Sequence, residues 1–144
     1  MMNNKLRELF YQFIVDNNVC EIEKKQMNEA DPNEVYFQMD NYHLVFNSFD
    51  KDPYYFFILL PNFKINGIGD EDMREVINKM NNNLKVAKAI LLNGSIWISI
   101  EQMAYSLQNI NDLFGRLIGI MDTAISYCIE TYNDIIKGKN EKKE

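Results

Sequence analysis

Asn93 and Gly94 stand between two apolar runs, and this pair constrains the fold more than any other feature of the chain. A two-residue Asn-Gly connection favours a type I′ turn, because both central residues of that turn need positive φ. The turn predicts a hairpin in which Leu92 pairs with Ser95 and Ile90 with Trp97. Side chains alternate between the faces of a strand, so this register also sorts the two faces. One face carries Ala87, Ala89, Leu91, Ile96, Ile98 and Ile100, and the other carries Val86, Lys88, Ile90, Leu92, Trp97, Ser99 and Glu101.

The segment 34–63 predicts three further strands, because it is rich in aromatic and β-branched residues. Turn chemistry at Asp40-Asn41 and at 50–53 separates these strands into a meander. The run 54–60 is apolar on both faces, so it is typical of a strand that is covered on two sides. We therefore expect either the helices of the domain or a second protein to cover the second face.

Three helices flank the predicted strands. The first begins near Asn3 or Asn4 and ends at Asn17-Asn18, and a short edge strand near 19–25 can follow it. The second carries Asp70 as a candidate N-cap and ends in the run 81–83. The third spans about 109–137, with an apolar stripe formed by Ile110, Leu113, Leu117, Ile120, Ala124, Cys128, Thr131 and Ile135. Gly115 and Gly119 interrupt this helix, which predicts a close backbone approach at the Ala87/Ala89 strand.

These elements predict an α+β domain over residues 1–137, with one antiparallel sheet of about five strands and three helices in the order α-β-β-β-α-β-β-α. A sixth, short edge strand would fit the same sheet. Residues 138–144 predict a charged, flexible tail.

Charge and composition exclude several classes of function. The net charge of −6 gives no attraction to phosphate backbones or anionic lipid, so we expect no nucleic-acid and no membrane partner. The start of the chain lacks the continuous apolar stretch of a signal peptide, which predicts a cytoplasmic protein. Cys20 and Cys128 lie far apart and are expected to be reduced packing residues.

No pattern in the sequence predicts a catalytic residue, a cofactor site or a metal site. His43 is the only histidine, and a structural or surface role is favoured over a catalytic one. The acidic group at 70–72 fits a helix start better than a metal loop. Gly67-Ile68-Gly69 lacks the third glycine of a dinucleotide site and is interpreted as a turn.

The apolar residues on the second sheet face are the candidate site. Large exposed apolar patches mark contact surfaces, which favours a protein-binding role without enzyme chemistry. Binding would use this face or strand addition at an open sheet edge. The alternative is a small-molecule or regulatory module that holds its ligand between the sheet and the long C-terminal helix. The candidate protein-binding residues are Trp97, Ile90, Leu92, Tyr55 and Phe57.

The segments 37–63 and 76–103, followed by the long helix with Tyr127 and Tyr132, resemble the type III secretion chaperone-like fold and most closely its YbjN-like branch. The resemblance rests on strand lengths, a Leu-Pro-Asn-Phe strand exit and the Asn-Gly hairpin. It implies a cytosolic protein that binds other proteins, often as a homodimer, without a cofactor. Secretion chaperones of this fold hold extended client segments against their surface, and nothing in these residues identifies a client.

Overall fold

A computed structural model of the chain describes residues 5–18, 20–23, 33–51, 53–65 and 67–142. The described residues form an α+β domain with one antiparallel sheet and three helices, as the sequence predicts. The short strand predicted near 19–25 is present as the sixth strand. In chain order the elements are α1 (Lys5–Asp16), β1 (Cys20–Ile22), β2 (Glu34–Met39), β3 (Tyr42–Phe49), β4 (Tyr54–Phe63), α2 (Asp70–Asn83), β5 (Ala87–Leu92), β6 (Ser95–Ala104) and α3 (Ile110–Lys142).

The strands lie in the order β1-β2-β3-β4-β6-β5, so β1 and β5 form the two edges. The hairpin between β5 and β6 has the predicted register, with Leu92 opposite Ser95 and Ile90 opposite Trp97. Asn93 has a φ of 52° and Gly94 a φ of 75°, which is the pair of positive angles that a type I′ turn requires. The turn therefore sets which residues of both strands point toward the helices.

All three helices lie on one face of the sheet, and the main core fills the space between them. Phe114 of α3 lies at its centre, with ring centroids 5.1 Å from Phe10, 5.9 Å from Phe46 and 5.5 Å from Phe56. Phe10 also stacks on Phe46 at 4.0 Å, which joins α1 to β3. The strand side chains buried in this core include Val35, Phe37, Leu44, Phe46, Phe56, Ile58, Ile96, Ile98 and Ile100.

Three predictions about the helices need correction. The N-cap of α2 is Gly69, which has no side chain to cap the helix, and Asp70 is the first helical residue. On α3, the buried face is wider than the predicted stripe. It includes Phe114, Ile118, Met121 and Ile125, whereas Leu113 and Ile120 are only partly buried. The helix also continues to Lys142, beyond its predicted end, and Lys139 donates a 2.6 Å hydrogen bond to Asp72.

The predicted close approach at the two glycines of α3 is wrong. A Cβ added at Gly119 would meet nothing within 4 Å, and one added at Gly115 would meet only the Phe13 ring, at 3.8 Å. Both positions are exposed. A glycine inside a helix costs about 1 kcal/mol relative to alanine, so the fold itself does not explain why Gly119 is a glycine.

Cys20 and Cys128 are free, buried thiols, as predicted. Burial raises the pKa of Cys128 to about 12, and burial together with the Asp40 charge raises the pKa of Cys20 to about 11. Because the thiolate is the reactive form, we expect the native protein at pH 8 to react with a disulfide reagent about 100-fold more slowly than the urea-unfolded chain.

The same shifts predict a pH dependence of stability. In the unfolded chain the thiols ionise near pH 8.5, whereas in the folded chain they stay protonated to higher pH. The free energy of unfolding should therefore fall as the pH rises above about 8.5. The rate of reaction with the disulfide reagent, measured with and without urea, checks the first expectation. Urea titrations at several pH values check the second. Equal reaction rates in the folded and unfolded states would contradict the burial of the two thiols.

Candidate protein-binding surface

The sheet face that points away from the helices carries exposed apolar side chains. Within the described ranges, no helix covers this face, which we call the open face. It consists of the outward side chains of β2 to β6, and several of its large apolar residues lie in solvent. The exposed fractions are 56% for Ile90, 41% for Leu92, 48% for Phe49 and 49% for Met103. A half-exposed side chain of this size, repeated across one face, is typical of a contact surface.

All five predicted site residues lie on the open face, in two clusters. The first, the Trp97 cluster, contains Trp97, its cross-strand partner Ile90, and Leu92. The second, the Tyr55 cluster, contains Tyr55, Phe57 and Phe49. The ring centroid of Tyr55 lies 5.7 Å from that of Phe49 and 6.4 Å from that of Phe57. Phe57 is paired with Glu101, four residues along β6 from Trp97. At ~3.3 Å per residue, the two clusters are therefore about 13 Å apart along the strands.

Phe49 and Met103 lie on the open face but are not among the residues that the sequence predicts for the site. Met103 is two positions beyond Glu101 on β6 and faces the same side as Trp97, so strand alternation alone predicts its direction. Phe49 ends β3 and pairs with Tyr55. Its place in the Tyr55 cluster depends on the pairing of β3 with β4, and no short turn in the sequence fixes the register of that pair.

Trp97 itself is only partly exposed, and its indole Nε1 is buried without a hydrogen-bond partner in the described part of the chain. An unpartnered buried donor costs about 1–3 kcal/mol. The ring thus contributes apolar area to the surface while its polar atom makes no compensating contact there.

Polar groups lie between and beside the two clusters. Ser99 of β6 lies between Leu59 of β4 and Lys88 of β5, so the row between the two clusters is polar on β5 and β6 and apolar on β4. Tyr55 donates a hydrogen bond to the Glu101 carboxylate. The pKa of Tyr55 is raised, first by its partial burial and then by the charge and hydrogen bond of Glu101. The open face thus offers apolar contacts at both clusters, and polar contacts between them on β5 and β6.

The β5 edge of the sheet is closed by a side chain from α2. The carboxamide of Asn81 donates to the Ala89 carbonyl at 2.9 Å, and its oxygen accepts from the Ala89 amide at 2.8 Å. These are two of the outward backbone groups of β5 that an added strand would use. The amide of Ala87 is also engaged, by the Lys85 carbonyl at 2.8 Å. Strand addition at Ala87 and Ala89 would have to displace existing bonds, which favours the open face over the β5 edge as a binding surface.

The remaining candidate groups form no other site in the described residues. His43 is exposed and its Nδ1 lies 2.5 Å from the Glu23 carboxylate, in agreement with the predicted surface role. The described part of the chain contains no group of three or more His, Cys, Asp or Glu side chains suited to a metal ion. None of the described helices combines the length and apolarity needed to cross a bilayer.

Comparisons of the chain with protein-family models, curated proteins and solved structures returned no match. The resemblance to the YbjN-like family therefore stays a prediction from the sequence. The chaperone-like role and the homodimer that it implies stay predictions with it.

Proposed function

We propose that this protein binds other proteins without enzyme chemistry, and that it holds an extended apolar segment of its client on the open face. The single observation that carries the proposal is a sheet face that none of the described helices covers, on which Ile90, Leu92 and Met103 are each more than 40% exposed. Trp and Tyr are enriched among the residues that dominate protein interfaces, and Trp97 and Tyr55 are the aromatic anchors here.

The spacing of the two clusters supports an extended client. A peptide in strand conformation advances ~3.3 Å per residue, so apolar residues four positions apart would reach both the Trp97 cluster and the Tyr55 cluster. The polar strip between the clusters, with Ser99 and Lys88, would face the intervening residues. Because several residue types satisfy such a pattern, the surface suits a chaperone-like protein that accepts more than one sequence.

We place this activity in the cytoplasm. The support is that Cys20 and Cys128 are both free thiols, and cytosolic proteins generally keep their thiols reduced.

We expect Trp97→Ala to weaken binding of a carboxymethylated, permanently unfolded protein by at least about 30-fold, because losing a buried aromatic anchor costs about 2 kcal/mol or more. The double variant Ile90→Ser with Leu92→Ser should lose affinity as well. Both of its side chains are more than 40% exposed, so this variant should keep its fold. Affinities from fluorescence anisotropy and folding from circular dichroism check both expectations.

Val15→Ser is the matched control for the open-face variants. Val15 is 54% exposed, close to the 56% of Ile90, but it lies on α1 on the other side of the sheet. Loss of binding in this control, or full binding in the folded open-face variants, would refute the proposal.

The homodimer implied by the resemblance would place a second copy on the same face. In that case the double variant changes the mass in solution from dimer to monomer.

A further inference from the structure

An open cavity of about 610 Å³, with Lys85, Arg116 and Gly119 exposed on its walls, lies on the other side of the sheet, where the end of α2, the start of β5 and the middle of α3 meet. This volume is in the range of small-molecule sites. The cavity also lies between the sheet and the long helix, which is where the alternative prediction from the sequence placed a ligand. The residues that matter for its chemistry are Leu84, Lys85, Ala87, Arg116, Gly119 and Ile120.

The charge of the cavity is opposite to the charge of the chain. Lys85 approaches from the β5 side and Arg116 from α3, and no carboxylate lines the cavity, although acidic residues outnumber basic ones by 21 to 15 overall. The one ion pair that Arg116 makes among the described residues is an exposed contact with Asp112 at 3.6 Å. Such an exposed pair contributes little, so the guanidinium is available to an anion. Leu84, Ala87 and Ile120 supply the apolar part of the lining.

Gly119 leaves room for a ligand against the backbone of α3. The residue lies inside α3, where alanine is more stable, and a Cβ at this position would meet no protein atom within 4 Å. Glycine is used where a ligand comes close to the backbone. A molecule that lies against the helix backbone between Lys85 and Arg116 would clash with a Cβ added at Gly119, although no protein atom would.

The segment that positions Lys85 is strained. Val86 has a φ of 75°, which is unusual for a β-branched residue, and the Ala87 amide donates to the Lys85 carbonyl across it in a three-residue turn. Residues in such conformations persist where the surrounding structure holds them and cluster at functional sites. Here the turn brings Lys85 and Ala87 to the same cavity wall.

We propose that this cavity binds an organic carboxylate with an apolar body, its carboxylate between Lys85 and Arg116 and its body on Leu84, Ala87 and Ile120. Arg pairs with carboxylates in a bidentate geometry, and the apolar lining favours an aliphatic or aromatic group over a free inorganic anion. This site does not depend on the open face, so either proposal can fail without the other.

Titration of the full chain with octanoate, followed by amide chemical shifts, tests the assignment. We expect saturable shifts at Ala87 and Gly119, and much smaller ones with 1-octanol or inorganic phosphate. Arg116→Gln and Lys85→Gln should each weaken octanoate binding about tenfold, whereas Lys51→Gln, an exposed lysine on the β3–β4 turn, should have no effect.

Gly119→Ala separates a ligand site from a structural role. We expect this variant to raise Tm by about 3 °C, because it removes a helical glycine, and to weaken octanoate binding at least about tenfold. Unchanged octanoate binding in the stabilised variant would overturn the assignment. Shifts confined to the open face, or phosphate binding as tight as octanoate binding, would overturn it too.

Discussion

Phe114→Ala is expected to lower the free energy of unfolding by about 3–5 kcal/mol, the usual cost of removing a fully buried phenylalanine ring. Phe114 is 0% exposed, and its ring contacts the rings of Phe10, Phe46 and Phe56. These contacts join α3 to α1 and to the two central strands, so the cavity left by the substitution would open at the junction of four elements. Since small domains have a net stability of only about 5–15 kcal/mol, the loss would be a large share of the total.

Urea denaturation and thermal unfolding measure this effect, with an expected fall in Tm of about 10–20 °C. Phe114→Leu keeps most of the volume and should cost less than half as much. Phe49→Ala is the matched control, because Phe49 is 48% exposed on the open face and its removal leaves no cavity in the core. Similar losses for Phe49 and Phe114 would contradict the placement of Phe114 at the centre of the core.

The contrast between Phe114 and the β5–β6 hairpin explains how far the sequence predicts this fold. The Asn93-Gly94 turn fixes two strands residue by residue, because a strand slip by one position would exchange its faces. A helix has no such register. The predicted stripe on α3 includes Leu113, which is only partly buried, and leaves out Phe114, since a stripe drawn through one side of a helix can be rotated by a residue without breaking its periodicity.

The candidate surface is predictable because the hairpin is: the register set by the turn decides which side chains share a face. Alternation places Ile90, Leu92 and Trp97 on one side of their strands, and all three are on the open face. The number of helices, however, does not determine which face they cover. That all three lie on one side depends on the packing of α3 against α1 and against α2, which involves residues far apart in sequence.

The role of Asn81 was not predictable from local pattern. The run 81–83 predicts a helix end, and α2 does end at Asn83. The bonds of Asn81 to Ala89 depend on how α2 packs beside β5 after the chain reverses at Val86. A side chain that closes a sheet edge therefore has no signal of its own in the sequence.

We expect Asn81→Ala to destabilise the protein by about 2 kcal/mol and to make it self-associate. The substitution removes two hydrogen bonds, of 2.8 and 2.9 Å, and leaves the amide and carbonyl of Ala89 without their partner. Hydrogen bonds contribute about 0.5–1.5 kcal/mol each, and a buried group left unsatisfied adds to the loss. The freed groups lie on an edge strand whose Ile90 and Leu92 are exposed, which is the arrangement that promotes edge-to-edge pairing.

Urea denaturation measures the destabilisation, and light scattering after size exclusion, at several protein concentrations, measures the self-association. Asn82→Ala is the matched control, because Asn82 is the exposed neighbour on the same helical turn and alanine there should be neutral or slightly stabilising. Association of the Asn81 variant through the edge should persist when Ile90 and Leu92 are also changed to serine, since backbone pairing does not need those side chains. If Asn81→Ala stays at the wild-type mass and stability, the edge is protected by something other than the Asn81 carboxamide, and strand addition returns as a binding mode equal to the open face.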